Sequence, residues 1–307
     1  RKFDLVFVNQ PSPITVAIPG IIVKKIKNIP LVMWVQDLWP ESVKDAGNLK
    51  SNFIPNLILP AVRAIYKNCD QIFVTSQGFT SSINKKIRNK KIKYIPQWGE
   101  KIFTKKTKND FTFEPIETIK DFKILFAGNI GFSQDLGTVI NAINEIKNCK
   151  VHLIILGDGR RKNHIIKKIR SINLESKISL FGSFPLETMP YFFSKADALL
   201  ISLKKSDIFS RTIPGKTQAY MSSGKPILTN ADGEVSRIIN KAQCGLTANS
   251  GDYKTLSKNI IKLNNLSNFE LKSMGDNGKK YYENNFNREK ILNNFEEIIY
   301  NIIENKK

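Results

Sequence analysis

In the stretch VMWVQDLWPES, residues 32–42, two carboxylates follow an apolar run. Asp37 and Glu41 fall where a buried strand ending at Val35 would open into a loop. A carboxylate so placed can take a proton from a hydroxyl, provided that it lies within hydrogen-bond reach. A second reading is structural: Asp37 can cap a turn that includes Pro40 and Glu41. Both readings stand at this point. A separate group of residues is suited to holding an anion. LFAGNIGFSQDLG, residues 125–137, places Gly128 and Gly131 between an apolar run and a helical one. Glycines there permit a tight turn and close backbone approach, and the free N–H groups of the next helix favour a phosphate. Asn129 and Gln134 are in reach of such an anion, and a plain strand-to-helix turn explains the same residues. LGDGRRKN, residues 156–163, repeats the pattern more weakly with Gly157 and Gly159, and Asp158 also suits a cap.

The third group is SRTIPGKTQAYMSSGKPILTNADGE, residues 210–234. Pro214 suits the first turn of a helix, and Gly224 its end. Lys216 then sits near a helix N-terminus, where an ammonium with apolar neighbours can meet a diphosphate. Glu234 opens a further helix, a position that favours a carboxylate. The alternative is an amphipathic helix with Tyr220 and Met221 in the core and Lys216 in solvent.

The elements that must carry these groups are legible from the spacing of apolar runs. Strands are predicted at Leu5–Val8, Leu31–Val35, Gln71–Thr75 and Lys93–Ile95, with helices near 14–27, 53–68 and 77–88. Residues 99–120 are polar, charged and weakly periodic, and read as a connection. A second series predicts strands at Lys123–Ala127, Val151–Leu156, Ile178–Phe181, Ala198–Ser202, Pro226–Thr229 and Gly245–Ala248, with helices between them. Repeated strand–helix–strand units imply parallel sheets covered on both faces, whose ligands bind beyond the carboxyl ends of the strands. The organisation expected is a partial first domain over 1–98, a connection over 99–120, a second domain over 121–285 and a C-terminal helix over 286–307 that packs back on the first domain.

The chain has 307 residues, enough for two cores. Its net charge of +21 favours anionic partners, although lysine bias alone accounts for much of it. Cys69, Cys149 and Cys244 are far apart, so neither a disulfide framework nor a zinc site is expected, and a reducing cytoplasm is the natural setting. The two histidines, His152 in a strand and His164 on a helix, form no catalytic constellation with other residues. There is no DxD sequence, and no metal or other cofactor is expected. The lysine runs lack interleaved aromatics, so nucleic acid is not an expected partner.

The ordered set FAGNIG…Q, ILGDG, LFGSFPLETMPYFFSKADALLISL, IPGKTQAYMSSGKPIL and GE…CGL resembles the donor-binding domain of GT-B glycosyltransferases of family 4. VNQPSP with DLWPES is similar to the acceptor domain of the subgroup that builds bacterial surface polysaccharide, including amino-deoxyhexose (N-acetylfucosamine-type) transferases of O-antigen and capsule pathways. The resemblance implies two Rossmann-like domains facing across a cleft. It also implies a donor sugar on a nucleoside diphosphate, with uridine as the base, and transfer with retained configuration to a polyprenyl-diphosphate-linked saccharide. Lys216 would neutralise the departing diphosphate and the Gly128–Gly131 loop would approach it. Gly182, Ser183, Phe184 and Pro185 would lie against the base, and the helix carrying Gln218 near the ribose. Gly157, Arg211, Pro214 and Glu234 complete the expected donor set, while Asp37 and Glu41 would face the acceptor. The family's paired glutamates are replaced by Arg211 and Ala219, and basic residues of its first glycine loop by Asn129 and Gln134. Positive charge then falls mainly on Lys216, with Arg211 or Lys204 as auxiliaries. VKKIKNI (23–29) and NKKIRNKKIK (84–93) could hold the enzyme on an anionic inner membrane face. A nucleotide-sugar 2-epimerase of the same architecture, and a polyanion-binding module, are the alternatives. Because residue 1 is arginine and a strand follows at once, the first domain is expected to lack its initial strands, and the 307-residue chain to turn over poorly.

Overall fold

The computed structural model describes residues 2–46, 51, 53–87, 92–103 and 111–305. The basic run 84–93 lies partly outside these residues. The chain divides into two compact units. The first comprises Arg1–Gln97, Ser206–Ile213 and Arg288–Lys307, the second Trp98–Lys205 and Pro214–Asn287.

The first unit is built on four strands, β1 (Val6–Gln10), β2 (Leu31–Val35), β3 (Gln71–Val74) and β4 (Ile92–Tyr94), in the order β1-β2-β3-β4. All pairings are parallel. Every residue of β2 is buried, which is why its sequence LVMWV shows no alternation: helices cover both faces of a parallel sheet. One face packs Leu31, Met33 and Val35 against Val62, Ile65 and Tyr66 of the helix Phe53–Asn68 and Phe79 of the helix Gln77–Lys86. On the other, Phe295 of the helix Arg288–Glu304 sets its ring against Phe7, Trp34 and Phe73, with centroids 5.4, 6.2 and 5.1 Å away.

The second unit holds β5 (Phe122–Ala127), β6 (Val151–Leu156), β7 (Ile178–Gly182), β8 (Ala198–Ser202), β9 (Ile227–Asn230) and β10 (Gly245–Ala248). They form one parallel sheet in the order β10-β9-β8-β5-β6-β7. Strand order therefore reverses between β5 and β8, and a crevice outside the carboxyl ends is the physical consequence. The sheet and its helices bury a core that runs from Ile124 and Phe126 through Val139 and Ile143 to Leu256 and Leu263. His152 belongs to this framework, because its buried ring lies 2.8 Å from Ser179 Oγ on the neighbouring strand.

Observed elements start or end within about two residues of most predicted ones. Among the described residues the short α-helices Glu41–Ala46, Glu114–Glu117 and Asp207–Arg211 and the 3-10 turns Lys101–Phe103 and Phe132–Gln134 are additions. Phe111 and Phe113, from the stretch read as a connection, pack against Phe184 and Phe192 in the second unit, edge-on in every pairing but Phe111–Phe192, which is tilted.

The helix Lys216–Ser223 is held in place partly by a close backbone approach. Gly275, inside the helix Asn268–Asn285, sits where a Cβ would come within 1.9 Å of the Gly224 carbonyl oxygen. On helix propensity alone, Gly275→Ala gains about 1 kcal/mol. The contact reverses the sign, because backbone must move to admit a methyl group, at a cost of about 1–3 kcal/mol. We expect Gly275→Ala to lower the midpoint of urea unfolding; a raised midpoint would show that the two helices separate freely.

Candidate functional site

Beyond the carboxyl ends of β5, β6 and β7 lies a cavity of about 510 Å³, in the range of small-molecule pockets. Three loops form its polar side, and they are zipped together by backbone. Gly128 N–H donates to Leu156 O (2.9 Å), Ile130 N–H to Asp158 O (2.7 Å) and Gly157 N–H to Gly182 O (2.6 Å). Gly157 has φ +141°, and a Cβ there would fall 1.9 Å from Gly128 O, so only glycine allows the first two loops to meet. Tyr220 fixes the end of β5, accepting from Ala127 N–H (3.0 Å) and donating to Ala127 O (3.3 Å). Its fully buried ring packs on Phe193 with centroids 5.2 Å apart.

Lys216 supplies the charge. Its Nζ would lie 3.1 Å from a Cβ on Gly128. The ammonium is buried and has no hydrogen-bond partner among the described residues. It stands 4.0 Å from the centroid of the Phe126 ring, a contact worth about 2 kcal/mol when desolvated. Burial pushes its pKa from 10.5 down to about 8. A cation in this position, beside a concave surface and without a carboxylate, is a site that an anion completes.

Of the other residues singled out from the sequence, Gly128, Asn129, Gly157, Ser183 and Phe184 line the same cavity. Gly182 contributes its carbonyl to Gly157, and Pro214 its carbonyl to Thr217 N–H at the entry to the Lys216 helix (2.8 Å). Gly131 and Gln134 belong to the loop after β5 but bind each other: Gly131 N–H donates to Gln134 Oε1 at 3.1 Å. Gln218 is fully buried, and its amide nitrogen reaches Pro214 O and Gly215 O at 3.1 Å each, turned back on its own helix. Glu234 opens the helix Glu234–Ala242 and pairs with Arg237 at 2.6 Å. Lys204 lies 3.7 Å over the Phe132 ring, and its N–H donates to Ser133 O, which ties it to the Gly131 loop.

Arg211, Asp37 and Glu41 belong to the first unit. Arg211 pairs with Asp207 at 2.9 Å and reaches Ser81 Oγ at 3.4 Å. Asp37 lies just past the end of β2, where it accepts from Trp39 Nε1–H (3.2 Å) and the Leu38 N–H. Burial raises its pKa despite these bonds, which suits a proton acceptor better than an ordinary surface carboxylate does. Glu41 Oε1 accepts from Ser82 Oγ and Lys86 Nζ, the latter at 2.6 Å.

Sequence reading missed the apolar wall of the cavity: Phe103, Leu186, Met189, Phe193, Ala219 and Tyr220. Phe193 and Met189 are spaced as core residues of a helix, and nothing in their spacing marks one side as facing a ligand.

Residues 121–265 match the family model for glycosyl transferases group 1. Over 273 residues the chain is 26% identical to the probable glycosyltransferase WbjE of Pseudomonas aeruginosa, which covers 86% of this chain. The chain spans 66% of the length of WbjE, and 48% and 39% of two further curated relatives. Among solved structures it is similar to sucrose-phosphate synthase from Thermosynechococcus elongatus, with a TM-score of 0.79, 17% identity, and 98% of this chain and 74% of that one covered. It is also similar to HepE of Anabaena in complex with UDP, with a TM-score of 0.77, 14% identity, and coverage of 97% and 79%. The fold is thus α/β with two Rossmann-like units, as in GT-B glycosyltransferases. The family match and the glycosyltransferase relatives support a transferase.

The Lys216 shift makes a prediction about the unliganded protein. The folded group titrates near 8 and the unfolded one at 10.5, so between those values the unfolded chain binds the extra proton. Stability should rise as pH increases from about 8 to 10.5, by roughly 3 kcal/mol from this group, and stay flat below 8. Lys216→Met should remove that rise and stabilise the unliganded fold at pH 7. Urea titrations of both proteins at several pH values test this; parallel pH profiles would refute it.

Proposed function

We propose that this chain transfers a sugar from a nucleoside diphosphate, UDP in particular, with retention of configuration, to a lipid-linked saccharide in the synthesis of a bacterial surface polysaccharide. The observation that carries the reading is the buried, unpaired ammonium of Lys216 beside the Gly128 loop. Sugar transfer from a diphosphate builds negative charge on the leaving group, and a preorganised cation in a dry site is the most effective way to stabilise it. UDP as the nucleotide is supported by the UDP complex of HepE. The retaining course, the acceptor class and the family 4 polysaccharide subgroup rest on the sequence resemblance, as does an N-acetylfucosamine-type sugar.

In this reading the diphosphate lies on the Gly128–Asn129 backbone with Lys216 against it. Ser183 and Phe184 flank the base, and Phe103, Met189 and Phe193 exclude water. Gln134, by occupying Gly131 N–H, shapes the loop rather than binding phosphate directly. Asp37 contacts the acceptor hydroxyl. No metal is required, since the cation that offsets the leaving charge is an amino group. The chain works at the inner face of the cytoplasmic membrane. The contact proposed there is electrostatic, through basic residues such as Lys24, Lys25 and Lys27. Among the described residues no helix is long and apolar enough to cross a bilayer.

Calorimetric titration with UDP tests the donor site. Wild type should bind, and Lys216→Ala should lose at least tenfold in affinity and about 10²-fold in transfer. Affinity should also fall as pH rises past about 8, because the ammonium that the diphosphate needs is then deprotonated. Equal UDP affinity in the two proteins would sink the reading. So would conversion of a UDP-sugar to its epimer without acceptor.

Asp37→Asn should leave UDP affinity unchanged while lowering transfer by about 10²-fold, the low end of general base effects. A loss smaller than threefold in single-turnover transfer would reduce Asp37 to a structural residue.

A further inference from the structure

The first unit contains a second cavity, of about 530 Å³, that the donor site does not use. It lies between Glu41 and the helices Phe53–Asn68 and Gln77–Lys86. Its floor is an ion pair: Lys86 Nζ lies 2.6 Å from Glu41 Oε1, and the Lys86 side chain is only 8% exposed. Ser82 Oγ completes the cluster. The charges of Glu41 and Lys86 cancel, and those of Asp207 and Arg211 cancel likewise through their own pair. Arg63 and Lys85 remain. Both line the cavity, and neither forms an ion pair among the described residues. Among the described residues the wall thus carries two cations without an ion-pair partner. It also carries an unmet acceptor, because Glu41 Oε2 is buried with no donor among the described residues.

These two features call for different groups on one ligand. Two cations on a concave surface fit a phosphate or diphosphate, which guanidinium binds in bidentate fashion. A buried carboxylate oxygen lacking a donor is costly, and a ligand hydroxyl would satisfy it. We propose that this cavity binds the phosphate-bearing reducing end of a saccharide, with Arg63 and Lys85 on the phosphate and a sugar hydroxyl donating to Glu41. That the bound saccharide is the acceptor rests on the transfer reading above. The site itself does not, since it is argued from its own residues. Inorganic phosphate matches the cations but brings no sugar hydroxyl to the carboxylate.

The probes are α-D-glucose 1-phosphate and inorganic phosphate, titrated by calorimetry into wild type, the double variant Arg63→Ala/Lys85→Ala, and Lys216→Ala. Both residues of the double variant are exposed, so folding should be unaffected, and unchanged UDP binding provides the control. Glucose 1-phosphate should bind wild type and Lys216→Ala alike, at least fivefold more tightly than inorganic phosphate. It should lose at least tenfold in the double variant. Binding that survives in the double variant, or that vanishes in Lys216→Ala, would overturn the proposal, because the ligand would then sit elsewhere or in the donor cavity. Equal affinity for the two probes would overturn the role of Glu41 and with it the saccharide assignment. Absence of UDP binding in all three proteins would count against the donor reading alone.

Discussion

One unfavourable interaction organises the second unit: an ammonium buried without an anion among the described residues. Lys216 is the first residue of its helix, and its side chain lies over Phe126 in the loop side of the sheet. Burial without a partner disfavours the charged form, and the depressed pKa is the measure of that cost. Proteins avoid such positions unless a ligand relieves them. The surrounding structure must therefore supply enough favourable packing to keep the ammonium in place while the site is empty.

It does so through backbone rather than further charge. Gly128, Gly157 and Gly182 are tied by N–H to carbonyl bonds that leave little freedom in the three loops. Tyr220, four residues along the Lys216 helix, uses its hydroxyl to hold both polar groups of Ala127. The same helix thus carries the cation and the clamp that positions the loop facing it. Gly275 against Gly224 sets the other end of that helix. The chain from close glycine contact to helix position to ammonium is continuous, and each link is a short-range packing constraint.

Much of this was visible in the sequence, and what was not has identifiable causes. The strands were legible because a parallel sheet buried on both faces leaves unbroken apolar runs such as LVMWV. Lys216 and the Gly128 loop were legible because proline, glycine and lysine punctuate a helix start in a characteristic way. The partners of Gln134 and Gln218 were not. An amide near a loop can face a ligand or its own backbone, and composition does not separate the two. Arg211 shows a second limit. The segment Ser206–Ile213 belongs to the first unit although the residues on either side belong to the second, and no local pattern marks that excursion. The aromatic wall shows a third, because a phenylalanine facing a cavity and one facing the core have the same spacing.

The departures from the resembling family now take on a physical meaning. Where basic residues are expected in the first glycine loop, Asn129 and Gln134 stand, and Gln134 spends its carbonyl on Gly131 N–H. A loop closed on itself in this way has a fixed shape, but it contributes dipoles instead of full charges. Dipoles fixed by packing lose no energy to reorganisation as charge develops, whereas mobile surface lysines do. Lys204 stays near the loop, held half-buried over Phe132 and bonded through its backbone N–H to Ser133 O. The design that results concentrates the large electrostatic effect in a single buried cation. Such a site is sensitive to the protonation of one group, and its response to pH follows from the position of one side chain.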